Sequence, residues 1–542
     1  MTKFKKKSIF ITIFFIIIIC ILFIEIYYQN NELVHTLKLK GSKSLLDNSI
    51  DDDYYSYEST DIIDNSIDDD YYSDESTDTI NKLMDDSKDN IENEIDEEVL
   101  IKENIDHNID KLLYKEFDRK LDVHEFINLR NREELHTALW YSVFGKYDQS
   151  NNNEDDLMSY KNNIIEKSLY MFNETYVKDS TREQKLLTAL HKSLYPWLYG
   201  FHYSSLGDII KLSNGRGIVI GTGDFHFVYA RSSIDTIRNV LNCTLPIEVF
   251  YCGEDDLSEE NRSILKKFKD VDVIDISQYF DRSIVNLKSF AVKPYSILAS
   301  KFEEVILMDA DALYIRNPEE LYEDEGYIKT GTLYFQDRSI NPGPNPGLTW
   351  LKSWMEDPLP ETKSLRYYNE LTAYEMESST VLIHKTKNLL GLLAICKLNE
   401  EKYRNDVLYK MTYGDKETFW IGFDMARQHY YMHPTPCVFV GKMYVYPEGM
   451  LSNKLCGLNG HIVNGKLMYW NGSLIKNKND KTKSLIFFDS YSITNNNSKW
   501  SHDLLCLILN EQQPIYFDEE EKETVKKIID RENELHIVLP SQ

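Results

Sequence analysis

The sequence lacks most of the short motifs that assign a chemistry directly. No two cysteines form a C-x-x-C pair, which removes the usual ligand spacing of a structural zinc site. No G-x-x-x-x-G-K-S/T loop occurs, so a P-loop nucleotidyl- or phosphotransferase has no phosphate cradle here. Gly221-Thr222-Gly223 begins a dinucleotide fingerprint, but the third glycine it requires falls on His226. Basic residues are also scarce: 61 Lys and Arg stand against 88 Asp and Glu, giving a net charge of −27. Phosphate backbones are bound by clustered Lys and Arg, so this balance argues against a nucleic-acid partner. The scarcity is uneven. Between Asp47 and Ile80 there are 13 acidic residues and no Lys or Arg, with few apolar residues to bury.

What is present begins at the N-terminus. Lys3, Lys5, Lys6 and Lys7 precede an apolar run from Ser8 to Ile24 that continues past Glu25 to Tyr28. About 20 helical residues span roughly 30 Å, the hydrocarbon thickness of a bilayer. With no small-residue cleavage site after it, the run reads as an uncleaved signal anchor (residues 8–28). The lysines then mark a cytoplasmic tail (residues 1–7). A cleaved signal peptide is the alternative, and either one sends the body into the secretory pathway. Residues 29–106 read as a disordered acidic stalk. Within it DNSIDDDYYSYESTDII (Asp47–Ile63) recurs as DNSIDDDYYSDESTDTI (Asp64–Ile80). Two copies are too few for a repeat fold, and like charges at this density extend a chain. Six cysteines lie beyond the anchor, at 243, 252, 396, 437, 456 and 506, and are open to disulfide pairing. Sequons at Asn173, Asn242, Asn261, Asn471 and Asn496 fit a secretory location.

From residue 107 to 206 apolar residues recur every three or four positions, as at Leu113, Phe117 and Leu121, which predicts a helical subdomain. A cap at Ser180 or Thr181 opens one helix, and Pro196 closes it. Residues 207–542 read as the catalytic domain. There strands at Ile218–Ile220, Pro246–Tyr251, Val271–Ile276 and Val305–Met308 alternate with helices following Gly223, at Ser258–Lys269 and at Val292–Lys301. That alternation predicts a parallel α/β sheet with ligands at the carboxyl ends of its strands. Gly465–Gly472, after Gly460-His461, predicts a hairpin near the site.

The last of those strands ends in Asp309-Ala310-Asp311. Two carboxylates at the open end of a sheet suit a hard divalent cation, Mn²⁺ or Mg²⁺, with a nucleoside diphosphate completing its shell. Structural capping is the alternative. The D-x-D pairs at Asp51, Asp68 and Asp270 do not close a buried strand. Gly221, Thr222 and Gly223 either approach a donor or make an ordinary turn. Lys293 either reaches a diphosphate or is a surface lysine. His461 is a candidate imidazole ligand among 13 histidines.

In order along the chain, GRGIVIGTGDFHF, TLPIEVFYCGEDDLS, AVKPYSILASKFEEVILMDADALYIRNPEELY, GTLYFQDR, ESSTVLIHK and GDKETFWIG resemble the fungal Golgi alpha-1,3-mannosyltransferases that extend cell-wall mannan. The resemblance implies a single Rossmann-like, metal-dependent (A-type) glycosyltransferase fold on a type II Golgi membrane protein with its catalytic domain in the lumen. It implies GDP-mannose as donor and Mn²⁺ (or Mg²⁺) as cofactor, held by Asp309 and Asp311 with His461 as third ligand. Gly221, Thr222, Gly223 and Lys293 would bind the donor. The acceptors would be O- or N-linked mannosylated glycoproteins, and the partners other Golgi mannosyltransferases in a complex. An α product from an α-linked donor requires retention of configuration, for which Glu377, Asp415 and Glu417 are the candidate catalytic carboxylates. The sister activity is alpha-1,2 transfer. A non-catalytic membrane-tethered wall protein is the rival from another class.

Overall fold

A computed structural model describes residues 102, 105–474, 485, 487–509 and 512–535. The expected tail, signal anchor, tandem repeat and nearly all of the stalk lie outside the described residues. Among the described residues no helix is long and apolar enough to cross a membrane. Contacts divide the chain at Glu116. In the first unit residues 105–116 are helical.

In the second unit three helices come first, Phe126–Phe144, Glu154–Phe172 and Arg182–Leu194. The third is opened by a capping box. The Thr181 hydroxyl accepts from Gln184 N, and the Gln184 side chain accepts from Thr181 N, so each satisfies a donor the first helical turn leaves without a partner. These helices are pinned to the sheet region from inside. Thr137 Oγ1 donates to Ala426 O at 2.9 Å, and in the loop beyond them Trp197 Nε1 donates to Glu400 Oε1 at 2.8 Å.

The central sheet has six strands: β1 (Arg216–Gly221), β2 (Ile247–Tyr251), β3 (Val271–Asp275), β4 (Glu304–Asp309), β6 (Thr332–Gln336) and β7 (Met376–His384). Their order is β3-β2-β1-β4-β7-β6. The first four are parallel neighbours. Ile218, Val219, Ile220, Val305 and Ile306 are fully buried, as strands covered on both faces require. The sheet is nevertheless mixed, which corrects the expectation of a purely parallel one. β7 runs antiparallel to both β4 and β6. The reason lies in the connections. A crossover through the helix Glu325–Thr330 delivers β6 parallel to β4. The long loop after β6 then leaves from and returns to one sheet edge, so β7 must run back. Its first residues, Met376 and Glu377, therefore sit at the carboxyl end of β4.

A second, antiparallel sheet adjoins that edge. It contains β5 (Ala312–Tyr314), β8 (Val438–Val445), β9 (Leu451–Val463), β10 (Lys466–Asn471), β11 (Ser490–Ile493), β12 (Lys499–Trp500), β13 (Cys506–Ile508) and β14 (Ile515–Tyr516). β9 and β10 form the expected hairpin, turning through Asn464 and Gly465, which both take left-handed φ. β5 follows Asp311 at once and pairs with β10, bringing Asn471 opposite Ala312. Cys456 and Cys506 are disulfide-bonded across β9 and β13; Cys243, Cys252, Cys396 and Cys437 are free. Replacing both bonded cysteines by alanine should lower stability by about 2–4 kcal/mol, read as a lower denaturant midpoint. An unchanged midpoint would show that the bridge does not brace this sheet.

Candidate functional site

The site is assembled from strand ends and the loops that follow them. β1 ends at Gly221 directly opposite Asp309, the last residue of β4. Gly223 admits no side chain, because a Cβ would lie 2.3 Å from Asp256 Oδ1 and 2.9 Å from the Asp256 carbonyl oxygen. The glycine turn thus lets the loop after β2 close over the end of β1. The cleft formed there, of about 540 Å³, is lined by residues 221–226, 250, 255–256, 289–290, 292–293 and 308–311. It contains Gly221, Thr222, Gly223, Lys293, Asp309 and Asp311 together.

Lys293 is half the electrostatic balance of the site. The helix Val292–Ala299 presents it from its first turn, and its Nζ lies 2.7 Å from Asp309 Oδ1 and 3.8 Å from Asp415 Oδ2. It also donates to the carbonyl and hydroxyl oxygens of Ser378, each at 3.1 Å. Burial alone would lower its ammonium; Asp309 and Asp415 outweigh that and raise it. Burial raises the Asp309 carboxyl, which Lys293 pulls down and Asp311 pushes up again. Two carboxylates this close in a shielded site favour a further cation, and an all-oxygen pair suits Mg²⁺ or Mn²⁺ better than a soft metal. The donor set therefore fits the expected ion.

Glu377 stands beside this group at the start of β7. Its carboxylate accepts from Ser379 N at 2.9 Å, Ser379 Oγ at 2.5 Å and Asn471 Nδ2 at 2.9 Å, and His461 Nε2 lies 3.4 Å away. Burial would raise it, but the contact with His461 and the other donors hold it down at about 2. It is therefore ionised throughout the neutral range. A carboxyl held below its unfolded value of 4.5 contributes stability that is full above that value. The contribution is lost as pH falls from 4.5 toward 2, and amounts to about 3 kcal/mol. Glu377→Gln should be less stable than the parent at pH 7 and show a shallower loss between pH 4.5 and 2 in denaturant melts. Parallel curves for the two proteins would contradict this reading of the carboxylate.

The remaining expected residues are placed as follows. Asp415 is buried next to Ser378, whose hydroxyl donates to Asp415 Oδ2 at 3.2 Å; burial raises its carboxyl against the charge of Lys293. His461 is buried between the rings of Phe335 and Tyr469, with centroids 4.8 and 4.9 Å away, and is brought to Glu377. Among the described residues no three His, Cys, Asp or Glu side chains group to hold a metal, so the expected set of Asp309, Asp311 and His461 is not brought together as three ligands. Glu417 turns away from the cavity. Its Oε1 accepts from Glu375 N at 2.9 Å and its Oε2 from Trp420 Nε1 at 2.5 Å, which ties the helix Lys416–Met425 to the start of β7. Three neighbours had no assigned role. Ser378 and Ser379 lie within ESSTVLIHK, where their signal was available, whereas Asn471 stood out only as a sequon.

Residues 215–462 match the protein-family model described as "Mannosyltransferase putative". A Candida albicans relative, "Putative alpha-1,3-mannosyltransferase MNN14", is 29% identical over 261 residues, 43% of this chain and 37% of that protein. Alpha-1,3-mannosyltransferase MNT3 of Saccharomyces cerevisiae is 24% identical over 271 residues, 44% of this chain and 42% of that one. The chain thus spans about two fifths of the length of these curated relatives. Among solved structures, the galactosyltransferase LgtC aligns with a TM-score of 0.27 at 14% identity, over 38% of this chain and 70% of that one. Residues 215–462 are thus similar to the mannosyltransferase family model, and the chain is similar over that region to fungal alpha-1,3-mannosyltransferases.

Proposed function

We propose that the chain transfers mannose from GDP-mannose to a terminal mannose of an O- or N-linked glycan, forming an alpha-1,3 linkage with retention of configuration. The observation that carries this reading is the pairing of Lys293 with Asp309 at a strand end, in a cavity that Asp311 also lines, inside the region that matches the mannosyltransferase family model. The fold in this reading is the A-type glycosyltransferase fold. A divalent cation held by Asp309 and Asp311, Mn²⁺ or Mg²⁺, would offset negative charge on the departing diphosphate. Lys293 supplies a fixed positive charge next to the same position. The glycine turn lets the donor approach the backbone of β1. An adjoining cavity of about 460 Å³, sharing Asp255, Asp256 and Ser289, gives the nucleoside room.

Retention requires either a covalent intermediate or attack from the face that GDP leaves. Glu377 is occupied by its hydrogen-bond donors, which suits holding a sugar hydroxyl or a neighbouring side chain in place. Asp415 lies beside Lys293 without that saturation. Asp415→Asn should lower transfer by about a hundredfold or more while Mn²⁺-dependent GDP binding stays within roughly threefold of the parent. Unchanged turnover would remove Asp415 from the chemistry.

The anchor pattern of residues 8–28 and the Cys456–Cys506 bond, which persists in oxidising compartments, support a type II Golgi membrane protein with a luminal domain. The test is transfer by the full-length chain from GDP-mannose to α-mannobiose with Mn²⁺, with the linkage read by linkage-specific mannosidases. An alpha-1,3 product meets the proposal. An alpha-1,2 product moves the protein to the sister activity, and no binding of GDP-mannose revives the non-catalytic wall protein.

A further inference from the structure

The segment Tyr413–Glu417 is tied down at every residue but the first. Gly414 takes a left-handed φ of 67° and lies against the Phe290 ring, where a Cβ would sit 3.3 Å from Cδ2. Asp415 faces Ser378 and Lys293, and Lys416 Nζ donates to Asp337 Oδ2 at 2.8 Å. Tyr413 instead projects from the surface, 63% exposed. Its ring packs 5.5 Å from that of Tyr374, and Lys416 Nζ lies 5.0 and 3.9 Å from the two centroids. Phe290, 47% exposed, lines the cavity that holds Asp309. An aromatic rim therefore runs from that cavity, through Phe290 and Tyr413, to Tyr374 and the Asp337–Lys416 pair.

Asp337 directly follows β6, which runs parallel to β4, so it lies at the same sheet edge as Asp309. It also accepts from Asn459 Nδ2 at 3.0 Å, and Asn459 Oδ1 is buried without a hydrogen-bond partner. A pyranose offers one apolar C–H face and a rim of hydroxyls. Exposed aromatic rings beside a fixed carboxylate and an ammonium complement both.

We propose that Tyr413, Tyr374, Asp337 and Lys416 form the acceptor subsite, which seats the terminal mannose of the acceptor glycan next to the donor cavity. This rests on the mannosyl-transfer reading above. The Asp337–Lys416 pair would also hold the Lys416–Met425 helix to β6 with no ligand bound. The test therefore uses Tyr413, the most exposed member.

The experiment measures transfer by the full-length chain with GDP-mannose and Mn²⁺, varying α-mannobiose. Tyr413→Ala should raise the acceptor KM about tenfold, the loss of one ring contact. Its donor KM should stay within roughly twofold, as should the acceptor KM of Tyr413→Phe, which keeps the ring. Tyr444→Ala removes an exposed ring on β8 outside this rim and should leave the acceptor KM unchanged. Saturation-transfer NMR with α-mannobiose, GDP and Mn²⁺ should lose the sugar signals in Tyr413→Ala alone. Transfer with an unchanged acceptor KM in Tyr413→Ala overturns the subsite by itself. Absence of transfer by the parent overturns the mannosyl-transfer reading and the subsite with it.

Discussion

On the proposed function, alanine at both Asp309 and Asp311 is expected to lower mannose transfer by roughly a thousandfold or more, because it removes the two carboxylates that would hold a cation at the diphosphate. The fold should survive. Burial already disfavours the Asp309 charge, and Asp311 adds repulsion, so removing both carboxylates relieves strain as well as losing contacts. Lys293 keeps Asp415 and the Ser378 oxygens as partners. The variant should therefore melt within a few degrees of the metal-free parent, and Mn²⁺ should no longer raise its midpoint. A variant that retains transfer near the parental rate would show that the pair is a structural cap.

Lys293→Met should have the largest effect on stability. It leaves Asp309 and Asp415 without their shared ammonium, and breaking a buried ion pair typically costs about 3–5 kcal/mol. In the proposed site the lysine and a divalent cation would supply positive charge to the same carboxylate, so Mn²⁺ should compensate part of that loss. The rise in midpoint on adding Mn²⁺ should be larger in Lys293→Met than in the parent, as a ligand that binds only the folded state stabilises it by mass action. Equal shifts in the two proteins would mean that lysine and metal do not meet at Asp309.

The legible part of the fold was the part written in short, unmixed signals. β1, β3 and β4 end in a glycine or an acidic residue and β2 stops two residues before Gly253, and each of the four was expected within a residue or two. The direction of β7 was not legible. Its nine residues are all buried, and such a run has the same pattern in either orientation. Only the long connection from Asp337 to Tyr374, which starts and ends at one edge, decides it. Most of the second sheet was missed because β11 to β14 are two to four residues long and carry little periodicity. The helix expected at Ser258–Lys269 stops at Leu265, short of the Asp270 turn with its left-handed φ.

The site divides in the same way. Asp309, Asp311, Lys293 and the glycine turn follow from position at strand and helix ends, which the sequence displays. His461 and Glu417 depended on which way a side chain points, and that is settled by pairing and packing across distant segments. The pairing of His461 with Tyr469 turns its ring toward Phe335 and Glu377, while Glu417 faces back to the β7 backbone. Asn471 carried a misleading signal. Its amide donates to Glu377, so a glycan attached there would remove one of the contacts that orders the carboxylate.

Calorimetric titration of GDP into the full-length parent and Asp309→Ala/Asp311→Ala proteins, each with and without Mn²⁺, tests the proposed metal–donor site most directly. The parent should bind GDP at least about tenfold more tightly with Mn²⁺ present, and the double variant should show no such gain. Equal GDP affinity in all four titrations would contradict the assignment of Asp309 and Asp311 as the carboxylates that hold a metal-bound nucleoside diphosphate.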